Sequence, residues 1–182
     1  MDRRSFLAIL AAAAVPSPAF AEPGVAASPQ LLSAFRSVRG IEEGRGPATL
    51  HILFAPWCHV SPQMYRDSRP YLSALRLRWI PFSGGQPEGK DGTERLLRDG
   101  TPSGVPQSFV PIQPLAVRPP TPLADAQDAA VAGLIEPQVL RDSGMGLVTP
   151  TLAYGFGEGR VRLVRGGLHP ADFGLISKIG SA

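Results

Sequence analysis

The sequence contains a single cysteine, Cys58, so no disulfide can form within the chain and the fold must be stable without one. The three histidines are scattered, and no cluster of acidic residues or cysteines accompanies them, so the pattern of a metal site is absent as well. We therefore predict a protein without a metal or cofactor, in which the unpaired cysteine requires an explanation.

The sequence also lacks a strong charge of either sign. The formal net charge is +3, which is too small and too dispersed to indicate nucleic-acid binding. Two arginine-rich segments alternate with apolar residues, as on the solvent face of a strand: Arg76 and Arg78, then Arg160, Arg162 and Arg165. We predict no nucleic-acid partner.

No apolar run at the start of the chain is long enough to span a membrane. The run from Phe6 to Val15 is far shorter than the ~20 residues that a membrane-spanning helix needs. It follows Arg3 and Arg4 and leads to the small-x-small sequence AFA at residues 19–21, which is typical of signal-peptide cleavage. We predict an export signal over residues 1–21 and a mature protein in the bacterial periplasm, outside the membrane. The twin-arginine route and the ordinary export route both remain open.

The order of predicted elements indicates one α/β domain, with residues 22–47 as an N-terminal helix and linker and residues 48–182 as the domain itself. Strand, helix and strand in its first part indicate a βαβ unit with parallel strands. The elements predicted up to residue 82 are a helix at 29–38, a loop at 40–47, a strand at 48–55, a helix within 61–75 that Pro70 breaks, and a strand at 75–82.

Residues 83–146 are predicted to be a helical insertion, followed by a hairpin and a closing helix. The fold class is therefore α/β with the order βαβ, helical insertion, ββα. The predicted parts are helices at 93–97 and 124–144, the latter interrupted by Pro137, an irregular proline-rich segment at 101–122, strands at 151–156 and 160–166, and a helix whose start Pro170 and Asp172 mark.

Gly84, Gly89 and Lys90 have the spacing of a phosphate-binding loop, and they follow a predicted strand. However, Asp91 replaces the Ser or Thr that would hold magnesium, its carboxylate would repel phosphate, and Pro87 argues against an immediate helix. We predict a flexible loop at this point.

The surroundings of Cys58 indicate a reactive thiol. The cysteine follows the apolar strand through Pro56 and Trp57 and stands at the predicted start of a helix, where the helix dipole and unpaired N–H groups stabilise a thiolate. Ser61 can donate a hydrogen bond to that thiolate, and a protonated His59 would lower its pKa further. The alternative is a cysteine that only fills space, since free cysteines are among the most buried residue types.

Two motifs carry a resemblance to a known family. The sequence WCHVS at residues 57–61 resembles the W-C-x-x-C site of thioredoxin-fold proteins, and VTPT at residues 148–151 resembles their cis-proline loop. The order of motifs over roughly residues 48–180 most resembles the catalytic domain of periplasmic disulfide isomerases and reductases of the DsbC/DsbG type. The resemblance implies a thioredoxin-like fold in which the loop of Thr149 and Pro150 lies against Cys58. In it, Trp57, Thr149 and Pro150 would bind the substrate.

Ser61 occupies the position of the family's second cysteine, which limits the chemistry. The Cys58 thiolate can attack a disulfide but cannot release its own adduct intramolecularly, so an external thiol must complete the cycle. The expected partners are cysteine-containing periplasmic proteins or a small thiol. Residues 22–47 are too few for the family's N-terminal dimerisation domain, so we expect a monomer; a dimer linked through two Cys58 residues is an alternative.

The leading hypothesis is a periplasmic thioredoxin-like protein with one thiol that acts in thiol–disulfide exchange as an isomerase or reductase. The alternative is a binding module that keeps the fold and the proline groove without turnover and serves an envelope or conjugation assembly. The reactivity of Cys58 separates the two hypotheses, because only the first needs a stabilised thiolate.

Overall fold

The computed structural model describes residues 22–109 and 119–180, which form a mixed sheet with helices on both of its faces. The order of strands across the sheet is β1-β6-β5-β3-β4-β2. Strands β3 and β4 are parallel, and every other neighbouring pair in this sheet is antiparallel. The strands are β1 (Val25–Ala27), β2 (Ile41–Gly44), β3 (Ala48–Phe54), β4 (Leu75–Pro81), β5 (Thr151–Phe156) and β6 (Arg160–Arg165).

The helices follow the predicted order, so the α/β class with βαβ, helical insertion and ββα is confirmed. A 3₁₀ turn at Arg69–Tyr71 ends the second helix next to Pro70, as the sequence predicted. The α-helices of the described residues are α1 (Pro29–Ser37), α2 (Ser61–Ser68), α3 (Pro87–Asp99), α4 (Gly104–Ser108), α5 (Pro122–Ala130), α6 (Glu136–Ser143) and α7 (Pro170–Ile179).

The continuous apolar run of β3 makes it a central strand, because both of its faces are covered by helices. On one face, Ile52 and Phe54 pack in a core that includes Met64 of α2 and Phe173 of α7. On the other face, Leu53 packs in a second core to which α1 and α6 contribute. The strand therefore carries its C-terminal end, and the residues that follow it, to a fixed position between the two layers.

The sheet has two edge strands that the sequence did not predict. Residues 40–47 were expected to form a loop, but Ile41–Gly44 pairs with β4 as an edge strand. The reason is tertiary, because the Glu43 carboxylate accepts hydrogen bonds from Trp79 Nε1 (2.6 Å) and from the Arg69 guanidinium. At the opposite edge, Val25–Ala27 pairs with β6.

The insertion is more regular than the sequence predicted. Helix α3 begins at Pro87, so the expected plain loop before residue 93 is wrong; a proline in the first helical turn lacks an N–H that would be unpaired there anyway. Within the proline-rich segment, Gly104–Ser108 forms a helix. Residues 110–118 of that segment and the predicted signal at 1–21 lie outside the described residues.

The long helix predicted at 124–144 is present as α5 and α6, joined by a π turn at Val131–Ile135. Pro137 lies in the first turn of α6 rather than at the interruption itself. The closing helix begins as predicted, because Asp172 accepts a hydrogen bond from the backbone N–H of His169 at 2.9 Å.

Candidate functional site

Cys58 lies at the carboxyl edge of the sheet, in the turn that joins β3 to α2. Its N–H donates to the Ala55 carbonyl at 3.0 Å, which closes the turn directly after the strand. Helix α2 begins at Ser61, so the backbone N–H groups of Val60 and Ser61 are at the helix N-terminus, where they have no partner within the helix. The sequence predicted that Cys58 itself opens the helix; in the structure it lies three residues before Ser61, in the turn that leads into the helix.

The environment of Cys58 acts on its pKa in two directions. Burial raises the pKa, since Cys58 is only 5% exposed. The Ser61 hydroxyl and the N–H groups of Ser61 and Val60 lower it, and they outweigh burial, so the pKa of the thiol lies below its ordinary value. The site therefore favours the nucleophilic thiolate.

The Ser61 hydroxyl is a hydrogen-bond donor near the Cys58 sulfur. This hydroxyl is fully buried and has no hydrogen-bond partner among the described residues. The thiol proton is instead donated to the Thr149 carbonyl, with 3.2 Å between Sγ and the oxygen. Once that proton is lost, the sulfur becomes an acceptor, and the Ser61 hydroxyl is placed to donate to it.

The loop before β5 forms the second wall of the site. The peptide bond between Thr149 and Pro150 is cis, as the sequence predicted. The loop is fixed on both sides, because Thr151 Oγ1 donates to the Val148 carbonyl at 2.6 Å and the Gly166 N–H donates to the Pro150 carbonyl at 2.8 Å. The structure thus brings together residues that are far apart in the sequence.

Trp57, which directly precedes Cys58 in the chain, is 49% exposed. Its Nε1 donates to the Ser83 carbonyl at 2.7 Å, so the polar atom of the indole is paired and the rest of the ring is an apolar surface. Gly89 lies under the ring, because a Cβ at that position would come within 2.7 Å of Trp57 Cδ1. From the sequence, Gly89 was noted only as part of a phosphate-binding pattern.

The expected influence of a protonated His59 on the pKa of Cys58 stays a prediction. The His59 side chain is exposed, and it is not among the groups that lower the pKa of Cys58. Ser83 and Gly89, in contrast, were missed, since a contact across more than 25 positions leaves no local pattern to detect. The available signal was Gly84 and Gly89, two glycines after β4 at which the backbone can come close to the Trp57 ring.

Within the described residues, no group of three or more histidine, cysteine, aspartate or glutamate side chains could hold a metal ion. In the same two ranges, none of the helices has both the length and the apolar character needed to cross a bilayer.

No protein-family model matches the chain, and no curated protein matches it closely. Solved structures do match. One is described as a periplasmic thioredoxin-like protein from Salmonella enterica serovar Typhimurium; its TM-score is 0.54 at 11% identity, over 81% of this chain and 94% of that one. A second, BcfH of Salmonella enterica Typhimurium, has a TM-score of 0.53 at 14% identity, over 85% of this chain and 80% of that one.

A third match is the thiol-disulfide exchange protein alpha-DsbA2 from Wolbachia pipientis, with a TM-score of 0.52 at 11% identity, over 82% of this chain and 91% of that one. At such identities the likeness establishes the fold. The chain has a thioredoxin-like α/β fold, as the resemblance of its two motifs implied.

Proposed function

We propose that this chain performs thiol–disulfide exchange through Cys58 as its only thiol, in the manner of an isomerase or reductase. The observation that carries the proposal is the pairing of a thiol of lowered pKa with the cis Thr149–Pro150 loop, 3.2 Å from sulfur to carbonyl oxygen. The description of the Wolbachia protein as a thiol-disulfide exchange protein supports the same chemistry on this fold.

The first step is attack by the Cys58 thiolate on one sulfur of a partner's disulfide. A bond forms between Sγ and that sulfur, the original S–S bond breaks, and the departing thiolate carries the electron pair. In the second step, another thiolate attacks the partner's sulfur and releases Cys58. When that thiol belongs to the same partner, disulfides are rearranged without net oxidation. When it is a small thiol, it stays on the partner as a mixed disulfide until a second molecule of the small thiol displaces the partner's thiolate; two small thiols are then oxidised to one disulfide and the partner is reduced.

An oxidase role is disfavoured by the cysteine content. An oxidase of this fold must carry a disulfide of its own to donate, and one cysteine per chain cannot form one. This argument supports the isomerase- or reductase-type use that the resemblance to the DsbC/DsbG type implies. We also propose export to the periplasm, which is supported by the signal pattern of residues 1–21 and by the periplasmic description of the Salmonella structure.

The expected substrate is a cysteine-containing polypeptide that reaches the sulfur between Trp57 and the cis-proline loop. Trp57 and Val148, which are 49% and 39% exposed, adjoin Cys58 and Thr149 in the chain. They give the approach to the sulfur an apolar border, which suits an extended segment with apolar residues beside its cysteine. The proposed molecule acts as a monomer and needs no cofactor.

The proposal is tested with a peptide whose cysteine is activated as a disulfide with 2-thiopyridine. We expect the native protein to gain the mass of one peptide, with release of one thiopyridone, and a small thiol to remove the peptide again. The variant Cys58→Ser serves as the control and should gain no mass. If the folded protein stays unmodified while the denatured protein takes up one peptide, the thiol is inert in the fold, and a binding module without turnover is the better account.

A further inference from the structure

The Trp57 indole is held in place by a chain of contacts that begins in the helical insertion. Its Nε1 donates to the Ser83 carbonyl at 2.7 Å, and Ser83 itself is fully buried in the turn that follows β4. The position of the indole therefore depends on the position of this turn, to which the sheet contributes a further bond, from the Phe82 N–H to the Phe54 carbonyl at 2.8 Å.

Asp128 of α5 organises that turn. One carboxylate oxygen accepts from the Ser83 N–H at 2.9 Å, and the other accepts from the Ser83 hydroxyl and from the Gly85 N–H, the latter at 3.1 Å. A carboxylate that accepts three hydrogen bonds from one turn fixes its backbone more firmly than neutral acceptors would. None of these three bonds involves Cys58 or the cis-proline loop, so through them Asp128 acts on the site only by way of the turn.

The neighbouring residue strengthens the attachment of α5 to the same connection. Gln127 Nε2 donates to the Pro81 carbonyl at 3.1 Å and to the Arg39 carbonyl at 2.8 Å. Gln127 and Asp128, two successive residues of α5, therefore both form hydrogen bonds with the segment at the end of β4. Gly89 of α3 packs against both the Trp57 ring and Ser83, since a Cβ at this position would lie 2.7 Å from Trp57 Cδ1 and 2.9 Å from the Ser83 oxygen.

We propose that Asp128 is a positioning residue for the Cys58 site, which acts through Ser83 to hold the Trp57 indole against the approaching polypeptide. The proposal rests on the proposed function for its substrate, a peptide with a reactive disulfide. It assigns to the insertion a share in substrate affinity, and it leaves the acidity of Cys58 to Ser61 and Val60. Loss of Asp128 consequently weakens peptide binding and leaves the intrinsic reactivity of the thiol unchanged.

The test compares Asp128→Ala with Asp125→Asn. Asp125 lies one turn earlier on the same helix, its side chain is 54% exposed, and it pairs with Lys90 at 2.5 Å, so it matches the charge without touching Ser83. Each variant is reacted with the thiopyridine-activated peptide over a range of concentrations and, separately, with iodoacetamide. The first reaction reports peptide affinity and rate, and the second reports only the thiol.

For Asp128→Ala we expect the half-saturating peptide concentration to rise about three- to tenfold, the loss expected when one aromatic contact is displaced. The maximal rate and the iodoacetamide rate should remain within a factor of two of the native values, and Asp125→Asn should behave as the native protein. An unchanged half-saturation, or an iodoacetamide rate that falls as much as the peptide reaction, would overturn the proposal.

A second readout follows the indole itself. Trp79 is fully buried and Trp57 is half exposed, so acrylamide quenching of the fluorescence reports mainly Trp57. We expect Asp128→Ala to increase quenching, because the released indole moves into solvent. If Asp128→Ala fails to fold, Asp128→Asn and Gly89→Ala provide the same comparison; native values for both in quenching and half-saturation would also contradict the proposal.

The two readouts separate this inference from the proposed function. If the native protein does not react with the peptide at all, thiol–disulfide exchange is wrong, yet quenching still decides whether Asp128 holds Trp57. Increased quenching with Asp128→Ala but not with Asp125→Asn would support the positioning role in that case, and equal quenching in both would reject it.

Discussion

The Cys58 sulfur has a different hydrogen-bond role in each of its protonation states. As a thiol it donates to the Thr149 carbonyl, and as a thiolate it accepts from groups at the start of α2. The Ser61 hydroxyl is buried and without a partner among the described residues, and it favours the thiolate, because a thiolate sulfur is a much stronger acceptor than a thiol sulfur. Ser61 is thus a stabiliser of the thiolate in the position where a resolving cysteine would stand.

Replacement of Ser61 by Ala should raise the pKa of Cys58, because the thiolate loses its hydroxyl donor. The iodoacetamide rate near neutral pH should fall, while the free energy of unfolding stays equal or increases, since an unpaired buried hydroxyl is removed. Rates measured against pH and denaturant unfolding check both parts. The control is Ser68→Ala, a fully buried serine of the same helix whose hydroxyl donates to the Tyr65 carbonyl; an equal rate loss there would contradict a specific role for Ser61.

His51 in β3 makes stability depend on pH. It is 3% exposed, and neither ring nitrogen has a partner in the part of the chain that the structure describes. Burial, followed by the charges of Arg78 and Arg36, lowers the pKa of His51 to about 4. An unfolded histidine has a pKa of ~6.5, so between that value and 4 the unfolded chain binds a proton that the folded protein does not. The free energy of unfolding is therefore unaffected by His51 above pH ~6.5 and decreases as the pH falls toward 4.

We expect the loss to reach about 3 kcal/mol of unfolding free energy at pH 4, relative to His51→Leu measured under the same conditions. The leucine variant keeps an apolar side chain against Phe35 and removes the titrating group. Denaturant unfolding at several pH values between 4 and 7 gives the comparison. Parallel stability curves for the two proteins would show that His51 does not titrate with folding.

At the scale of elements, the edge strand β2 connects the sheet to the helix that follows Cys58. Its Glu43 carboxylate pairs with Arg69, whose Nε donates to the Tyr65 carbonyl at the end of α2, and it also accepts from the Trp79 indole. The guanidinium lies over the Tyr65 ring, 3.8 Å from its centroid. A strand of four residues thereby fixes the far end of α2.

Glu43→Ala should lower the unfolding free energy by about 2 to 3 kcal/mol, because it leaves the buried Trp79 N–H and the Arg69 charge without their acceptor. Glu42→Ala is the matched control on the same strand, since Glu42 is 56% exposed and faces Arg78 at 3.6 Å; its effect should be under about 0.5 kcal/mol. Denaturant unfolding measures both, and equal effects would argue against the anchoring role of β2.

The elements show where a sequence pattern is sufficient and where it is not. The apolar run of β3 and the capping residues of α7 are local signals, and both elements formed as predicted. The strand β2 was missed because a four-residue segment with two glutamates is stabilised by partners at positions 69 and 79. The start of α3 was missed because Pro87 was interpreted as a breaker, although the first helical turn accommodates it.

The sequence predicted the motifs of the site but not the residues that hold Trp57 in position. The motif around Cys58 follows the C-terminal end of β3, and the proline loop precedes the N-terminal end of β5, the neighbouring antiparallel strand. Their meeting was implied by the resemblance to thioredoxin-fold proteins. The hold of Asp128 on Ser83 connects positions 45 apart, in an insertion whose placement no local pattern determines. His59 was assigned a role from sequence adjacency alone; its side chain is exposed, and the role stays a prediction.

At the scale of the whole molecule, one cysteine per chain means that a mixed disulfide persists until another thiol arrives. Ser61→Cys should change this behaviour, because the new thiol can attack the Cys58 adduct, release the peptide and leave a disulfide within the chain. Mass spectrometry without added thiol should show a lasting adduct for the native protein and release for the variant.

The control is Ser68→Cys, which introduces the second thiol two turns further along α2, about 10 Å away along the helix axis. This variant should retain its adduct on Cys58 as the native protein does. Retention by Ser61→Cys as well would indicate that the position of Ser61 does not give access to the Cys58 sulfur.

The most direct test of the central claim is the rate of Cys58 alkylation by iodoacetamide as a function of pH, with Cys58→Ser as the blank. The structure predicts a single titration with an apparent pKa below the ~8.5 of a free cysteine, since the donors at the start of α2 stabilise the thiolate. An apparent pKa at or above that value, or no reaction in the folded protein, would contradict the account of Cys58 as a nucleophile.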